Sequence, residues 1–287
     1  MAALNRALFP IDLSLNYQKL SDTTRRMFDR PDTEIVMLHA IEEPSRSVRG
    51  LEVARSMAQM EFLARKEFAF AQVSRRVERG RAAGVILEYA QSHQLDVIVM
   101  PPGGQQGFGR GSQGHVAEEV MLAAPCAVWT ERMTVETPCA EAGIRDVCCA
   151  VGLDGSDESV LRRAAEIAAQ FGAELTIVHA VAPESPMALW WDVDALEQEL
   201  RIARLRSDEL RDKFAPGARL HVEGGRSEWV VGRALRRLGA GLLVAAGRDT
   251  VSLVGAATCP VLRVASPSPK AVRSSRPDGA RTLAATA

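Results

Sequence analysis

The sequence predicts an α/β protein made of two tandem domains, each a five-stranded parallel sheet with helices on both faces. Three observations carry this prediction. The chain has 287 residues, which is about twice the roughly 150 residues of a common domain. Segments of the first half recur in the same order in the second half. Within each half, short apolar runs alternate with helical patterns, as is typical of parallel sheets.

One unit occurs twice along the chain. Three pairs of segments match in the same order. A fourth match consists of an Asp with a Ser two residues after it. The pairs are residues 34–40 (EIVMLHA) with 174–180 (ELTIVHA), 77–80 (VERG) with 222–225 (VEGG), 123–128 (AAPCAV) with 256–261 (AATCPV), and Asp12 and Ser14 with Asp154 and Ser156. Such a repeat predicts two copies of one domain.

The boundary between the copies is predicted where Pro138 and Gly143 interrupt the pattern. We predict a first domain over residues 1–136, a linker over 137–143, a second domain over 144–265 and a disordered tail over 266–287. The tail is rich in Pro and Ser and carries more basic than acidic side chains. A solvated tail is the plainer interpretation, and a contact with nucleic acid or an acidic partner is the alternative.

The strands are predicted from short segments between the helical patterns, and residues 146–153 form an apolar run without alternation, as is typical of a strand buried on both faces. In the first half they lie at residues 7–11, 34–40, 73–78, 96–100 and 127–130. In the second half they lie at residues 146–153, 174–180, 219–223, 241–246 and 260–264.

The helices are predicted from apolar residues that recur at helical spacing. They lie at residues 51–68, 82–93 and 115–123 in the first half, and at 156–171, 192 or 194 to 214, and 227–238 in the second. Ser156 is the predicted N-cap of the first helix of the second half, and Gly172 follows its end. A short helix fits between residues 247 and 259.

Composition and charge exclude several classes of protein. With 35 Lys and Arg against 36 Asp and Glu, the balanced charge disfavours a nucleic-acid binder or a lipid-bound protein. The five cysteines show no CxxC or Cys/His spacing, so we expect neither a disulfide scaffold nor a metal site. Residues 7–11 are too few for a signal peptide, and residues 120–130 fall short of the roughly 18 that a membrane helix needs. We therefore expect a cytoplasmic protein.

Two pairs of reactive residue types are interpreted as structural. His39 and His179 occupy the same strand end in the two copies. Cys148 and Cys149 are adjacent in a predicted strand, so their side chains point to opposite faces and cannot share a metal. We expect a structural rather than a catalytic role for the two histidines, and burial for the two cysteines.

The clearest functional signal is the loop after the fourth strand of the first half. Six of the residues 101–115 are glycines, and the loop leads into a helix. Backbone N–H groups at such a helix start suit a phosphate. Residues 109–114 match GxGxxG, but they lie too far from the preceding strand for a dinucleotide fingerprint. A P-loop is excluded because Arg110 and Gly111 stand where Lys and Ser or Thr are required.

The whole repeat resembles the universal stress protein family in its tandem form. The resemblance lies in FPIDLS at residues 9–14, VGLDGS at 151–156, VIVM at 97–100 and APCAV at 124–128. It implies two Rossmann-like domains of the adenine nucleotide alpha hydrolase-like type, and a ligand that is ATP or a related adenine nucleotide. It also implies domain pairing, as an internal pseudo-dimer or as a homodimer.

Members of that family that bind ATP carry a Gly-x2-Gly-x9-Gly-Ser/Thr loop. Gly104 and Gly114 match its second and third glycines, whereas Pro101 and His115 depart from it. The resemblance implies that Asp12 faces the adenosine and that the loop surrounds the phosphates. The predicted cofactor-binding residues are Ile11, Asp12, Met100, Gly104, Gly107, Gly114, His115 and Val116. The alternative is a loop that serves only as a connection.

The second half lacks this loop. Met100 and Cys126 are 26 positions apart, whereas the matching Ala245 and Cys259 are 14 apart. Such a connection has room for a short helix but not for a phosphate-binding loop. We therefore predict nucleotide binding in the first domain only.

The resulting interpretation is a non-catalytic regulatory or stress-response protein that binds an adenine nucleotide in one domain and acts on an unidentified regulatory protein partner. Contact with a membrane or nucleic acid is not expected. Two alternatives stay open: a nucleotide-free dimerising scaffold that acts through protein contacts, and a weak ATPase.

Overall fold

The strand–helix alternation predicted for both halves is confirmed. The computed structural model describes residues 4–13, 20–42, 49–100, 112–130, 144–155, 157–182, 193–247 and 249–265. The predicted linker and tail lie outside the described residues, as does most of the glycine-rich loop. In the described part of the chain, no helix is long and apolar enough to cross a membrane.

The described residues of the first half form five strands and four helices. In chain order they are β1 (Arg6–Pro10), α1 (Asp22–Phe28), β2 (Glu34–Ile41), α2 (Arg49–Glu67), β3 (Gln72–Arg79), α3 (Ala82–Ser92), β4 (Val97–Met100), α4 (Ser112–Ala123) and β5 (Ala127–Thr130).

The second half repeats this order. Its elements are β6 (Asp146–Ala150), α5 (Asp157–Phe171), β7 (Glu174–Val181), α6 (Val193–Phe214), β8 (Arg219–Gly224), α7 (Ser227–Leu238), β9 (Leu242–Ala246), α8 (Thr250–Ala256) and β10 (Val261–Val264).

All ten strands form one sheet with the order β3-β2-β1-β4-β5-β10-β9-β6-β7-β8. The five strands of each half are parallel, as predicted. The halves meet where β5 and β10 pair in the antiparallel sense, with Trp129 opposite Leu262. The sequence analysis does not foresee this joint, because a strand paired on both sides has the same apolar composition whichever strand lies beside it.

The helices cover both faces of the sheet. Side chains from α1, α2, α5 and α6 belong to the core on one face, and those from α3, α4, α7 and α8 belong to the core on the other. Cys149 lies in the first core and its neighbour Cys148 in the second. The prediction that these two side chains point to opposite faces is therefore confirmed.

Arg263 of β10 ties the two halves together. Its guanidinium is buried, and Nη1 donates a hydrogen bond to the Ala124 carbonyl oxygen at 2.9 Å. A second carbonyl, that of Cys126, lies 3.4 Å from the same nitrogen. Burial lowers the pKa of Arg263. A side chain of the second half thus bonds the backbone carbonyls that precede β5 in the first half.

Helix α1 is missed by the sequence analysis. Its seven residues are too few to show a clear helical period. Its start is fixed by Ser21, whose side chain accepts the N–H of Thr24. Its position over the sheet is fixed by the Trp129 indole N–H, which donates to Thr24 Oγ1 at 2.9 Å.

Two predicted boundaries are wrong. The strand predicted at residues 146–153 ends at Ala150, because the N–H groups of Gly152 and Leu153 donate to the Asp157 carboxylate instead of a neighbouring strand. The helix predicted from residue 115 begins at Ser112. The predicted N-cap Ser156 lies outside the described residues.

Candidate functional site

The candidate site lies at the carboxyl edge of the first half, between β1 and β4. These strands are neighbours, with Ala7 opposite Val97 and Leu8 opposite Ile98. The chain leaves β1 toward β2 on one side, whereas β4 lies on the other side, so the strand order reverses here. Ligands of open parallel sheets bind at such a reversal.

Three predicted site residues meet at this edge. Ile11 follows β1 directly and Met100 is the last residue of β4, and both are buried. Asp12 comes next after Ile11 and is exposed. The three residues therefore lie at the edge where the strand order reverses, with Ile11 in the core on one face of the sheet and Met100 in the core on the other.

Both backbone polar groups of Ile11, its N–H and its carbonyl oxygen, form hydrogen bonds. Its N–H donates to the Leu38 carbonyl at 2.8 Å, and its carbonyl oxygen lies 2.8 Å from His39 Nδ1. Because a carbonyl oxygen only accepts, Nδ1 carries the hydrogen in this contact. The end of β2 thus fixes the residue immediately before Asp12.

The second half repeats this arrangement. The Val151 N–H donates to the Val178 carbonyl at 3.1 Å, and His179 Nδ1 lies 2.9 Å from the Val151 carbonyl oxygen. Both histidines make a local hydrogen bond to backbone, in line with the structural role that the sequence suggested. The signal was their matching position at the two strand ends.

This register corrects one alignment. The sequence pairs Asp12 with Asp154, but Val151 takes the place of Ile11, so the residue that takes the place of Asp12 is Gly152. Asp154 lies two residues further along the loop. The two aspartates therefore leave their strands at different points, although the short motif around them is alike.

The loop after β6 is organised by a residue that the sequence analysis missed. Asp157, the first residue of α5, is 4% exposed. Its Oδ1 accepts the N–H groups of Gly152 and Leu153 at 2.8 and 3.1 Å, and its Oδ2 accepts that of Gly155 at 3.3 Å. No acidic residue occurs between Asp12 and Asp22 in the first half. An acidic residue in a first helical turn was the available signal.

The structure describes some of the residues predicted to bind phosphate but not all of them. Gly104 and Gly107 lie outside the described residues. Gly114, His115 and Val116 lie in the first turns of α4, rather than at its start as predicted. The first N–H groups of a helix have no partner within it, so α4 presents donors at the end where the glycine-rich loop enters.

The corresponding connection of the second half is short. Residues 247–249 alone separate β9 from α8, which has seven residues. In the first half, residues 101–111 separate β4 from α4. The predicted short helix is present, and this connection of the second half is shorter than that of the first.

An ion pair fixes α4 against the start of α3. Arg81 Nη1 donates to Glu119 Oε2 at 2.7 Å, and the Ala82 N–H donates to Glu42 Oε1 at 3.0 Å. The hydrogen bond with Glu119 raises the pKa of Arg81, and the same bond lowers the pKa of Glu119. Both side chains lie at the surface, so this pair orients α4 more than it stabilises the fold.

Among the cysteines of the described residues, Cys148, Cys149 and Cys259 are buried, and Cys126 is partly buried against the core. Burial raises the pKa of Cys126 to about 11 and that of Cys148 to about 12, and it raises the pKa of Cys149 further. Near neutral pH they are thiols rather than nucleophilic thiolates. Among the residues that the structure describes, no group of three or more His, Cys, Asp and Glu could hold a metal ion.

Comparison with known proteins decides the family. The sequence model of the universal stress protein family matches residues 4–131 and again residues 143–265. The chain belongs to the universal stress protein family. It is a tandem member, with the two copies joined through the antiparallel pair of β5 and β10.

Solved structures support the same fold for this universal stress protein. One from Archaeoglobus fulgidus has a TM-score of 0.69 at 16% identity, over 92% of this chain and 97% of that one. A putative universal stress protein from Pseudomonas aeruginosa has a TM-score of 0.59 at 14% identity, over 91% and 93%. A universal stress protein in complex with cAMP matches 43% of this chain and 98% of its own at 19% identity, and its TM-score of 0.35 is too low to place a ligand here. No curated protein matches the sequence.

Proposed function

We propose that the first domain of this universal stress protein binds ATP or a related adenine nucleotide as a regulatory ligand, and that the second domain supports it structurally. The observation that carries the proposal is the difference between the halves after their fourth strands. The first half has the glycine-rich residues 101–111 between β4 and α4, and the second has residues 247–249 at that point.

The groups at the carboxyl edge suit the parts of an adenine nucleotide. The exposed Asp12 carboxylate can accept hydrogen bonds from ribose hydroxyls or from an amino group. Ile11 and Met100 place a buried apolar side chain on each face of the sheet at this edge. The free N–H groups in the first turn of α4, which contains Gly114, suit a phosphate.

The two departures from the family motif define the expected mode of binding. Pro101 offers no N–H to a phosphate. His115, near the helix N-terminus, is unfavourable in its charged form unless an anion lies beside it. The proposal therefore assigns phosphate recognition to the backbone of the later glycines and of α4.

The proposal includes a partner but no turnover. We assign the output to a nucleotide-dependent contact with a regulatory protein or with a second copy of the chain. Phosphoryl transfer depends on positioned metal ions and on charged groups around the γ-phosphate. The loop supplies Arg110 and Gly111 where a P-loop supplies Lys and a hydroxyl, so ATP hydrolysis is not part of the proposal.

Calorimetric titration of the full chain with ATP tests the proposal, together with two variants. Gly114→Asp adds a carboxylate to the first turn of α4 and is expected to abolish binding, because it repels phosphate. Asp12→Ala is expected to weaken binding about tenfold, the effect of roughly 1.4 kcal/mol. Mass spectrometry of small molecules released by denaturing the purified protein identifies any nucleotide that it retains.

Asp154→Ala, in the loop after β6 of the second domain, is the control, and its ATP affinity should equal that of the unmodified chain. The absence of binding at millimolar ATP would overturn the proposal in favour of the nucleotide-free scaffold. Phosphate release that is lost in Asp12→Ala would replace it with the weak ATPase.

A further inference from the structure

The outward face of α7 in the second domain consists of one indole and several guanidinium groups. The exposed residues of this helix are Trp229, Arg233, Arg236 and Arg237, and the exposed N-cap residue Arg226 precedes them. Positions 226, 229, 233 and 236 or 237 are three or four residues apart, so their side chains share one face of the helix. We call these five residues the Trp–Arg stripe.

The stripe has no counterpart in the first domain. Helices α3 and α7 begin at the same point of the repeat, because Gly80 and Gly225 each donate their N–H to the last carbonyl of β2 and of β7, at 3.2 and 2.9 Å. Counted from these glycines, Trp229 corresponds to Gly84. The three helical arginines correspond to Glu88, Gln91 and Ser92. One copy of the unit thus has a polar helix face where the other has an aromatic and basic one.

Two carboxylates hold the first part of the stripe in place. Arg226 Nη2 lies 2.5 Å from Glu228 Oε1, and Arg233 Nη1 lies 2.7 Å from Glu223 Oε1. The guanidinium carbon of Arg226 is also 5.8 Å from the centroid of the Trp229 ring, within reach of a cation–π contact. These contacts order the side chains around the indole before a partner arrives, which lowers the entropic cost of binding.

The rest of the stripe carries an excess of positive charge. In the described part of the chain, Arg236 and Arg237 form no ion pair. Their place in the last turn of α7 suits the helix dipole, but the dipole does not account for Trp229, which is 63% exposed. Four arginines against the two neighbouring glutamates leave two positive charges in excess.

The composition of this face fits a protein partner better than a nucleic acid. Trp and Arg are the residue types that contribute most to binding at protein interfaces. A nucleic acid would bring a continuous row of phosphates against Glu223 and Glu228, and the chain as a whole has no excess of basic residues, with 35 Lys and Arg against 36 Asp and Glu. A protein helix can instead present separate carboxylates beside an apolar side chain, and these complement the guanidinium groups and the indole.

We propose that the Trp–Arg stripe binds an acidic amphipathic helix of a partner protein. An apolar side chain of that helix packs on Trp229, and its carboxylates pair with Arg236 and Arg237. This contact is additional to the nucleotide-dependent one proposed above, because the stripe lies in the second domain and is formed without a ligand. Loss of nucleotide binding would leave it intact.

Fluorine NMR of the full chain, labelled with fluorotryptophan and free of nucleotide, tests the proposal. The chain has four Trp, and the Trp229 signal is the one that disappears in Trp229→Phe. The probe is an Ala-based helical peptide of about 15 residues, with Leu at its centre and Glu three and four positions to either side. The Trp229 signal is expected to shift and to saturate below millimolar peptide, while that of the fully buried Trp129 stays constant.

Changes of charge on either partner test the ion pairs. A peptide with Gln in place of each Glu should bind about tenfold more weakly, and the double variant Arg236→Gln, Arg237→Gln should weaken binding of the acidic peptide about tenfold. The matched control is Arg204→Gln with Arg206→Gln, at exposed positions of α6. It makes the same change in net charge and should leave the affinity unchanged.

Moving the stripe to the first domain is the matched gain of binding. Gly84→Trp with Glu88→Arg, Gln91→Arg and Ser92→Arg should give the chain a second peptide site on α3. An added Cβ at Gly84 has no atom within 4 Å, so the helix has room for the indole. Should this variant fail to fold, the Arg236→Gln, Arg237→Gln comparison decides alone.

Three results would overturn the proposal: a Trp229 signal that does not saturate, equal binding of the Glu and Gln peptides, or unchanged affinity of the Arg236→Gln, Arg237→Gln variant. A thymidine oligonucleotide that shifts the Trp229 signal at lower concentration than the peptide would assign the stripe to nucleic acid instead. A Trp229 shift that depends on protein concentration alone would assign it to a second copy of the chain.

Discussion

The Nδ1 atom of His39 lies 2.8 Å from the carbonyl oxygen of Ile11. This contact joins the end of β2 to the residue before Asp12, and so it controls where the Asp12 carboxylate leaves the sheet. The same contact between His179 and Val151 in the second domain shows that it belongs to the fold. In the first domain it also serves the candidate nucleotide site.

Replacing His39 by Ala should lower both stability and nucleotide affinity. Loss of one hydrogen bond costs about 1 kcal/mol of unfolding free energy, and a displaced Asp12 should weaken ATP binding roughly fivefold. Urea denaturation and calorimetric titration measure the two effects. His179→Ala is the control, with a similar loss of stability and unchanged ATP affinity. Equal effects of the two variants on ATP binding would contradict the assigned role of His39.

Replacing Asp157 by Ala should destabilise the second domain by about 2 kcal/mol, because three backbone N–H groups lose their acceptor. Asp157→Asn keeps one acceptor oxygen and should lose less. Chemical denaturation measures the loss, and amide hydrogen exchange at Gly152 and Leu153 locates it. The neighbouring exposed residue provides the control Glu158→Ala, which should change stability by less than about 0.5 kcal/mol. Unchanged exchange at Gly152 would refute the role of Asp157.

Replacing Arg263 by Ala should destabilise the first domain as well as the second. The change leaves the Ala124 carbonyl without its donor at the joint, at a cost of about 1–3 kcal/mol. Amide hydrogen exchange at Val128, which is opposite Arg263 in β5, should become faster. Arg233→Ala, at an exposed position of α7, is the comparison variant. A loss of protection confined to residues 144–265 would show that Arg263 does not couple the halves.

Stability should fall as the pH rises above about 8.5, the ordinary pKa of a cysteine thiol. Burial raises the pKa of Cys126 to about 11 in the folded protein, so the folded state holds this proton more tightly than the unfolded state does. The stabilisation is complete below the unfolded pKa and is lost as the pH approaches 11. Each such thiol contributes a slope of about 1.4 kcal/mol per pH unit in that window.

Denaturation between pH 8 and pH 10.5 measures this slope, and Cys126→Ala should reduce it. A thiol reagent at pH 8 should react slowly with the native protein and quickly after addition of urea. Rapid reaction of Cys126 in the native protein would contradict the expected effect of burial.

The sequence predicts the central strands well because they are buried on both faces, whereas the edge strands β3 and β8 are partly exposed. A run such as VIVM at residues 97–100 admits little other than a central strand, and β4 covers those four residues. Prediction fails where the local pattern is short or polar. Helix α1 has only seven residues, and Asp157 looks like an ordinary acidic residue at a helix start.

The candidate site also has one part that the sequence predicts and one part that it does not. The resemblance to the family places Ile11, Asp12 and Met100 at one edge, and the pairing of β1 with β4 brings these positions together. The alignment of Asp154 with Asp12 is wrong by two residues, because a short motif carries no information about where its strand ends. The hydrogen bonds of His39 and His179 supply that register.

The sequence by itself determined the strands and their order along the chain, the helices other than α1, the family and the loss of the glycine-rich loop from the second half. These features are local: burial on two faces, helical spacing and segment length are all written along the chain. The tertiary structure alone decided the antiparallel pairing of β5 with β10 and the hydrogen bond between His39 and Ile11. Each of these depends on residues far apart in sequence, whose distances are set only when the sheet and its helices pack together.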